Sequence, residues 1–170
     1  MLEANSQLKT SLSMLPSSGR IGHVNLKVAN LDRALAFYDG VLGLKITKQI
    51  GDTAAFLSFA EYHHDICLNT WHSRNGSAPA EGATGLFHLA ILYSERADLM
   101  RAFQRLKSAG TVIDAAVDHG VSESLYFRDP DENGVELYWD RPSENRWSID
   151  GELMMRHQPV DPEKLLGSIC

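Results

Sequence analysis

Asp118-His119-Gly120-Val121-Ser122-Glu123-Ser124-Leu125-Tyr126-Phe127-Arg128-Asp129-Pro130-Asp131-Glu132-Asn133-Gly134-Val135-Glu136-Leu137-Tyr138 reads as strand, tight turn, strand. Leu125-Tyr126-Phe127 gives the first strand an apolar, aromatic centre. Asp129-Pro130-Asp131-Glu132-Asn133-Gly134 concentrates turn formers and closes on Asn-Gly. Residues 135–139 then carry a single carboxylate, Glu136, in an otherwise apolar run. If buried, that charge has to be paired or bound to a metal. The partners of Glu136 are therefore to be sought elsewhere in the chain.

Working outward, residues 111–116 are strand-like, and Leu99, Phe103 and Leu106 form the apolar stripe of a helix that Ser94 can cap and Gly110 can end. Gly85-Leu86-Phe87-His88-Leu89-Ala90-Ile91-Leu92 reads as another strand. The second half is thus β-α-β-β-β. The first half repeats it. Residues 21–28 alternate, with Val24, Leu26 and Val28 on one face and His23, Asn25 and Lys27 on the other. Asn30 or Asp32 can cap the following helix, whose stripe is Leu35, Tyr38 and Leu42 and which Gly43 is placed to end. Strands are expected at 44–50, 53–59 and 64–70, with Gly51-Asp52 as a hairpin signal.

The expected organisation is a tail at 1–18, a domain at 19–142 and an extension at 143–170. The domain divides into repeat one (20–72), a Ser/Gly/Pro-rich linker (73–84) and repeat two (85–140). Leu8, Leu12, Met14 and Leu15 give the tail the pattern of a short docked helix, and Asp161 to Leu166 reads as a helix with Pro162 in its first turn. Two copies of a mixed unit suggest a pseudo-twofold α+β fold, with the strands forming one curved mixed sheet. The chain has 170 residues and a net charge of −6, which excludes nucleic acid and anionic membrane as expected partners. No apolar run approaches the roughly 20 residues of a membrane span, and the first residues lack the pattern of a secretory signal. Cys67 and Cys170 are too few for a disulfide framework, so a reducing, cytoplasmic setting is the default.

His23 and His88 occupy matching places in the two repeats, and Glu136 lies in the last strand of the second. Two imidazoles and one carboxylate can form a facial triad, which suits non-haem Fe(II) and leaves coordination positions open. A single strand histidine is more often structural; recurrence at matching places is what favours ligation. Asn25 lies two residues from His23 and so on its face. Cys67, Phe37, Tyr38, Leu99 and Phe103 read as core, His72 as exposed and His157 as structural.

These signatures resemble the vicinal oxygen chelate superfamily, which includes glyoxalase I, the bleomycin and fosfomycin resistance proteins and the type I extradiol dioxygenases. The resemblance spans about residues 20–142. It is greatest to the catechol 2,3-dioxygenase branch, through His23-Val24-Asn25, Phe37-Tyr38 with Leu42-Gly43, Tyr62-His63-His64-Asp65, Gly85-Leu86-Phe87-His88, Asp118-His119-Gly120, Tyr126 through Glu136, Asp140-Arg141-Pro142 and Trp147.

The resemblance implies His23, His88 and Glu136 as metal ligands, and His64 as the acid–base histidine beside the substrate. It implies Tyr126 as a hydrogen-bonding tyrosine, His119 as a supporting histidine and Asn25 near the substrate. It implies Fe(II), with Mn, Zn, Ni or Co as other divalent metals of the fold, a small aromatic diol and O₂ as substrates, and a role in aromatic catabolism. Aligning Gly134-Val135-Glu136 with His64-Asp65-Ile66 puts Ile66 where a fourth ligand would stand, which favours the dioxygenase. The pleat admits only one of His63 and His64 to the cavity, and the resemblance selects His64. Extradiol enzymes of this type carry four repeats, and this chain has two; the missing lobe bears on the substrate entrance and on any homo-oligomer interface. A glyoxalase-like metal isomerase or lyase and a metal-free antibiotic- or aromatic-binding protein are the other readings.

Overall fold

The computed structural model describes residues 19–142 and 155–166. The tail with Leu8, Leu12, Met14 and Leu15 lies outside the described residues, as do Trp147 and Cys170. Two units follow one another. The first runs β1 (Val24–Lys27), α1 (Leu31–Leu35), β2 (Lys45–Ile50), β3 (Ala54–Ser58) and β4 (Ile66–Asn69). The second runs β5 (Leu89–Tyr93), α2 (Arg96–Ser108), β6 (Ile113–Asp118), β7 (Ser122–Arg128) and β8 (Gly134–Asp140). Each builds a sheet in the same order, β1-β4-β3-β2 and β5-β8-β7-β6, with a short strand β9 (Gln158–Pro159) added beside β6. The α+β arrangement of two βαβββ units is therefore present. Its wall is made of two sheets, not one. β1 and β5 each use one edge on β4 or β8 of their own unit, and they are not hydrogen-bonded to one another.

The repeat extends to a local irregularity. The β2–β3 ladder skips a residue between Ile46 and Lys48, opposite Leu57 and Phe56. The β6–β7 ladder skips one between Ile113 and Ala115, opposite Phe127 and Tyr126. A bulge bends its strand and increases local twist, so both sheets curl at the same place.

The helices follow their stripes. Asn30 caps α1, its Oδ1 accepting from the Arg33 N–H at 2.9 Å. The helix then widens over Ala36–Val41 into a π-helical turn, where the Leu42 N–H bonds to the Phe37 carbonyl at 2.9 Å. Gly43, at φ 84°, ends it. α2 starts one residue later than the Ser94 reading: Glu95 takes the extended capping conformation, and its carbonyl accepts from Asp98 at 3.0 Å. Leu99, Phe103 and Leu106 are buried as the stripe requires, and they join Leu26, Leu57, Leu125 and Leu137 in one core.

The β7–β8 turn also fastens the two units together. Buried Asp129 accepts from the Asn133 and Asp131 N–H groups at 2.8 and 2.9 Å and from the Tyr38 hydroxyl at 2.9 Å. Asp131 accepts from the Ala29 N–H at 2.9 Å and pairs with Arg33 at 2.6 Å. Burial, with the charge and hydrogen bond of Asp129, raises the Tyr38 phenol well above its usual pKa, so it remains a donor. Within this turn the left-handed residue is Glu132, at φ 66°. Gly134 serves another purpose. A Cβ there would lie 2.1 Å from the Phe87 carbonyl oxygen and 3.1 Å from the His88 Cα, so only glycine lets β8 run against the entry to β5.

Gly134→Ala should therefore destabilise the fold by about 1–3 kcal/mol, the usual cost of overpacking. Gly40→Ala, where a new Cβ meets nothing within 4 Å, should stay within about 0.5 kcal/mol of wild type. Urea unfolding of the two variants checks this, and equal midpoints would contradict it.

Candidate metal centre and its hydrogen-bonded chain

Val135 and Leu137 belong to the core, so Glu136 between them points to the opposite face of β8. It is 9% exposed. The parallel register pairs Leu89 with Val135 and Ala90 with Glu136. His88, immediately before β5, is thereby brought alongside, its Nε2 3.1 Å from Glu136 Oε2. Tyr126 lies directly across the β7–β8 ladder from Glu136 and donates its hydroxyl proton to Oε1 at 2.8 Å. His119 Nε2 is 2.9 Å from the same hydroxyl. His119 Nδ1 is 3.1 Å from the Arg156 carbonyl. One line of contacts thus runs from His88 through Glu136, Tyr126 and His119 to the segment 155–166. Burial first, then the hydrogen bond and charge of Glu136, push the Tyr126 phenol up to about 12 against an opposing contact from Ser124. The phenol keeps its proton at neutral pH.

In the first repeat, His23 precedes β1 as His88 precedes β5. Its ring centroid is 4.4 Å from that of His64, which meets Phe56 at 4.9 Å. His63 turns toward the same group, with its Nδ1 2.6 Å from that of His64. Both precede β4, so its pleat does not separate them; their burial does, His63 being exposed and His64 half-buried. Burial, then the charges of His23 and His63, hold His64 below the ordinary histidine value, with Asp65 opposing. Asn25 accepts from Asn69 Nδ2 at 2.6 Å. His72 is exposed, as read.

The register revises the comparison between repeats. Val24 pairs with Ile66 where Leu89 pairs with Val135, and Phe56 pairs with Cys67 where Tyr126 pairs with Glu136. The counterpart of Glu136 is therefore Cys67, not Ile66, which packs in the core. Cys67 is 1% exposed and burial pushes its thiol up. The position thus holds a buried thiol in one repeat and a carboxylate in the other.

Among the described residues, no three His, Cys, Asp or Glu side chains are gathered closely enough to hold one metal ion. His88 and Glu136 stand together, and His23 stands with His64 on the other sheet. The donor types nonetheless fit a divalent cation. Among the described residues, His88 Nδ1 is buried without a partner, and the Glu136 carboxylate meets one hydroxyl and one imidazole. A cavity of about 320 Å³ adjoins His88 and Tyr126, lined also by Phe87, Ala115, Val117 and His157. His157, read as structural, also lies 5.6 Å from His119 ring to ring.

The chain matches the Glyoxalase/Bleomycin resistance protein/Dioxygenase superfamily over residues 20–137. It belongs to that family. It is 38% identical over 148 residues to a catechol-2,3-dioxygenase of Bacillus subtilis (strain 168), covering 86% of this chain and 50% of that protein. It is 31% identical over 130 residues to biphenyl-2,3-diol 1,2-dioxygenase 2 of Rhodococcus globerulus, covering 74% and 65% respectively. The chain thus spans half of the first relative and under two thirds of the second. A glyoxylase/bleomycin resistance protein/dioxygenase domain from Frankia sp. EAN1pec superposes with a TM-score of 0.63 at 26% identity, covering 75% of this chain and 96% of that one. No described helix is long and apolar enough to cross a membrane.

Two residues had no site role in the sequence reading. Asp118 pairs with Arg156 at 2.6 Å and Arg141 at 3.3 Å, and buried Glu123 pairs with Arg141 at 2.9 Å and Arg96 at 2.7 Å. Asp118-His119-Gly120 was a visible motif; Arg156 carried no local signal. Burial pushes the Asp118 carboxyl up, but Arg156, the Gly120 N–H and Arg141 outweigh it and hold the group below its usual value. A depressed folded pKa contributes stability above the unfolded value, about 3.9, and loses it as pH falls through the folded value. Wild type should therefore exceed Asp118→Asn in urea stability at pH 6–7 (about 6–7, well above both values), and the gap should close below about pH 4. A gap that widens on acidification would contradict this.

Proposed function

We propose that the protein is an Fe(II)-dependent extradiol dioxygenase that cleaves the ring of a catechol-like diol beside its two hydroxyls. The observation that carries the reading is the contact of His88 and Glu136, backed by Tyr126, on the same face of the fold as an aromatic-sized cavity. The 38% identity to a catechol-2,3-dioxygenase supports the same chemistry. His23, His88 and Glu136 would hold the metal. Fe(II) when bound supplies electron transfer between a chelated diol and O₂; another divalent metal of the fold, Mn included, could take its place.

The chain's own residues would do the rest. Tyr126 holds the Glu136 carboxylate by donating to Oε1, which fixes the oxygen that faces His88. His64, kept neutral by its surroundings, takes a proton from a diol hydroxyl and returns it to a departing oxygen. Phe87, Ala115 and Val117 give the aromatic ring apolar walls, and about 320 Å³ falls in the range of small-molecule sites. Asn25 lines the neighbouring face of β1. A reducing, cytoplasmic setting accords with a chain of two cysteines.

Anaerobic loading with Fe(II), followed by a catechol and O₂, should give oxygen uptake with a coloured ring-fission product. His64→Phe should lower turnover by about 10²–10⁴-fold with iron content unchanged. Iron-loaded protein that consumes no O₂ with any catechol, and instead isomerises a thiol adduct of an α-ketoaldehyde, would move the reading to the glyoxalase-like class. Aromatic binding with no metal uptake would move it to the binding-protein class.

A further inference from the structure

The segment 155–166 is sewn onto the second sheet along its length. Gln158 pairs with Asp118 and Pro159 with Val117 as β9 adds to β6. The Val160 N–H bonds to the Ala116 carbonyl at 2.9 Å. A closing helix, α3 (Pro162–Leu166), buries Leu166 completely, and Lys107 pairs with Glu163 at 2.5 Å. Arg96 bonds to the Leu165 carbonyl. At the near end the contact is reciprocal. The Arg156 N–H donates to the His119 carbonyl at 2.9 Å, and the Arg156 carbonyl faces His119 Nδ1 at 3.1 Å. The Arg156 guanidinium is anchored on Asp118, whose other oxygen takes the Gly120 N–H at 2.7 Å.

A carbonyl oxygen only accepts hydrogen bonds. A lone pair on His119 Nδ1 would set two acceptors against each other at 3.1 Å. The proton is therefore on Nδ1. Nε2 is left with its lone pair toward the Tyr126 hydroxyl, whose one proton then lies between two acceptors, Nε2 and Glu136 Oε1. We infer that residues 155–166 are a positioning element of the site: the Arg156 carbonyl, held in place by the Asp118–Arg156 ion pair, fixes His119 in its Nδ1–H form and presents Nε2 to Tyr126. Arg156 acts through His119, which it meets with its carbonyl and its N–H. Its catalytic consequence rests on the dioxygenase reading above; the tautomer does not.

The test is long-range ¹H–¹⁵N correlation of the histidine rings in the full chain without added metal, with His119 assigned by its loss in His119→Gln. Wild type should show His119 protonated at Nδ1. Arg156→Ala and Asp118→Asn should both shift it toward the Nε2–H form that predominates in water, and Arg156→Lys should restore the wild-type pattern. In the iron-loaded enzyme, Arg156→Ala should lower kcat by about 10–100-fold with little change in KM, as losses of supporting hydrogen bonds do. A neutral Nε2–H ring in wild type, or a tautomer indifferent to both variants, overturns the inference even if ring cleavage proceeds. An Nδ1–H ring that responds as described, in a protein that cleaves no catechol, leaves it standing and overturns only the dioxygenase reading.

Discussion

A buried carboxylate is the constraint from which the arrangement of this protein follows. Glu136 points away from a strand whose neighbours Val135 and Leu137 are core residues, and removing an unpaired charge from water costs several kcal/mol. The fold answers it from both sides of β8. The parallel ladder with β5 delivers His88 to one oxygen, and the antiparallel ladder with β7 delivers Tyr126 to the other. Both deliveries depend on where β8 begins, which depends on the close approach of Gly134 to Phe87 and on the Asp129-centred turn before it. The same turn, through Tyr38 and Asp131, ties the first repeat to the second.

The two repeats share strand order, ladder register and even the bulge beside Phe56 and Tyr126. They differ in what the register positions hold. Phe56 and Cys67 stand where Tyr126 and Glu136 stand in the other half. The first repeat therefore contributes imidazoles, His23 with His64 and His63, and the second contributes the carboxylate and its hydrogen-bonded chain. The duplicated scaffold thus carries two chemically unequal halves.

Much of this was legible in the residues. The alternation of 21–28, the helix stripes and the recurrence of His23 as His88 expose the repeat, because they are local patterns with a fixed period. What escaped was set by pairing between distant segments. Ile66 was aligned with Glu136, and the ladder selects Cys67, since a count along one strand does not reveal the register with its neighbour. His63 and His64 were separated by the pleat, but both precede β4, and what distinguishes them is burial, His63 being exposed and His64 half-buried. β9 was missed because Pro159 argues against a strand; at the sheet edge it is tolerated. Arg156 has no motif at all. Its role arises only because the final segment returns to the edge of β6, far from it in sequence.

The measurement that bears most directly on the whole account is anaerobic Fe(II) binding to the apo-protein, compared with His23→Ala, His88→Ala and Glu136→Ala. The account predicts one iron per chain in the parent and a loss of about 10-fold or more in affinity in each of the three variants, because a facial triad needs all its donors. Tight iron binding that survives His23→Ala would contradict it, for the metal would then belong to the second repeat alone.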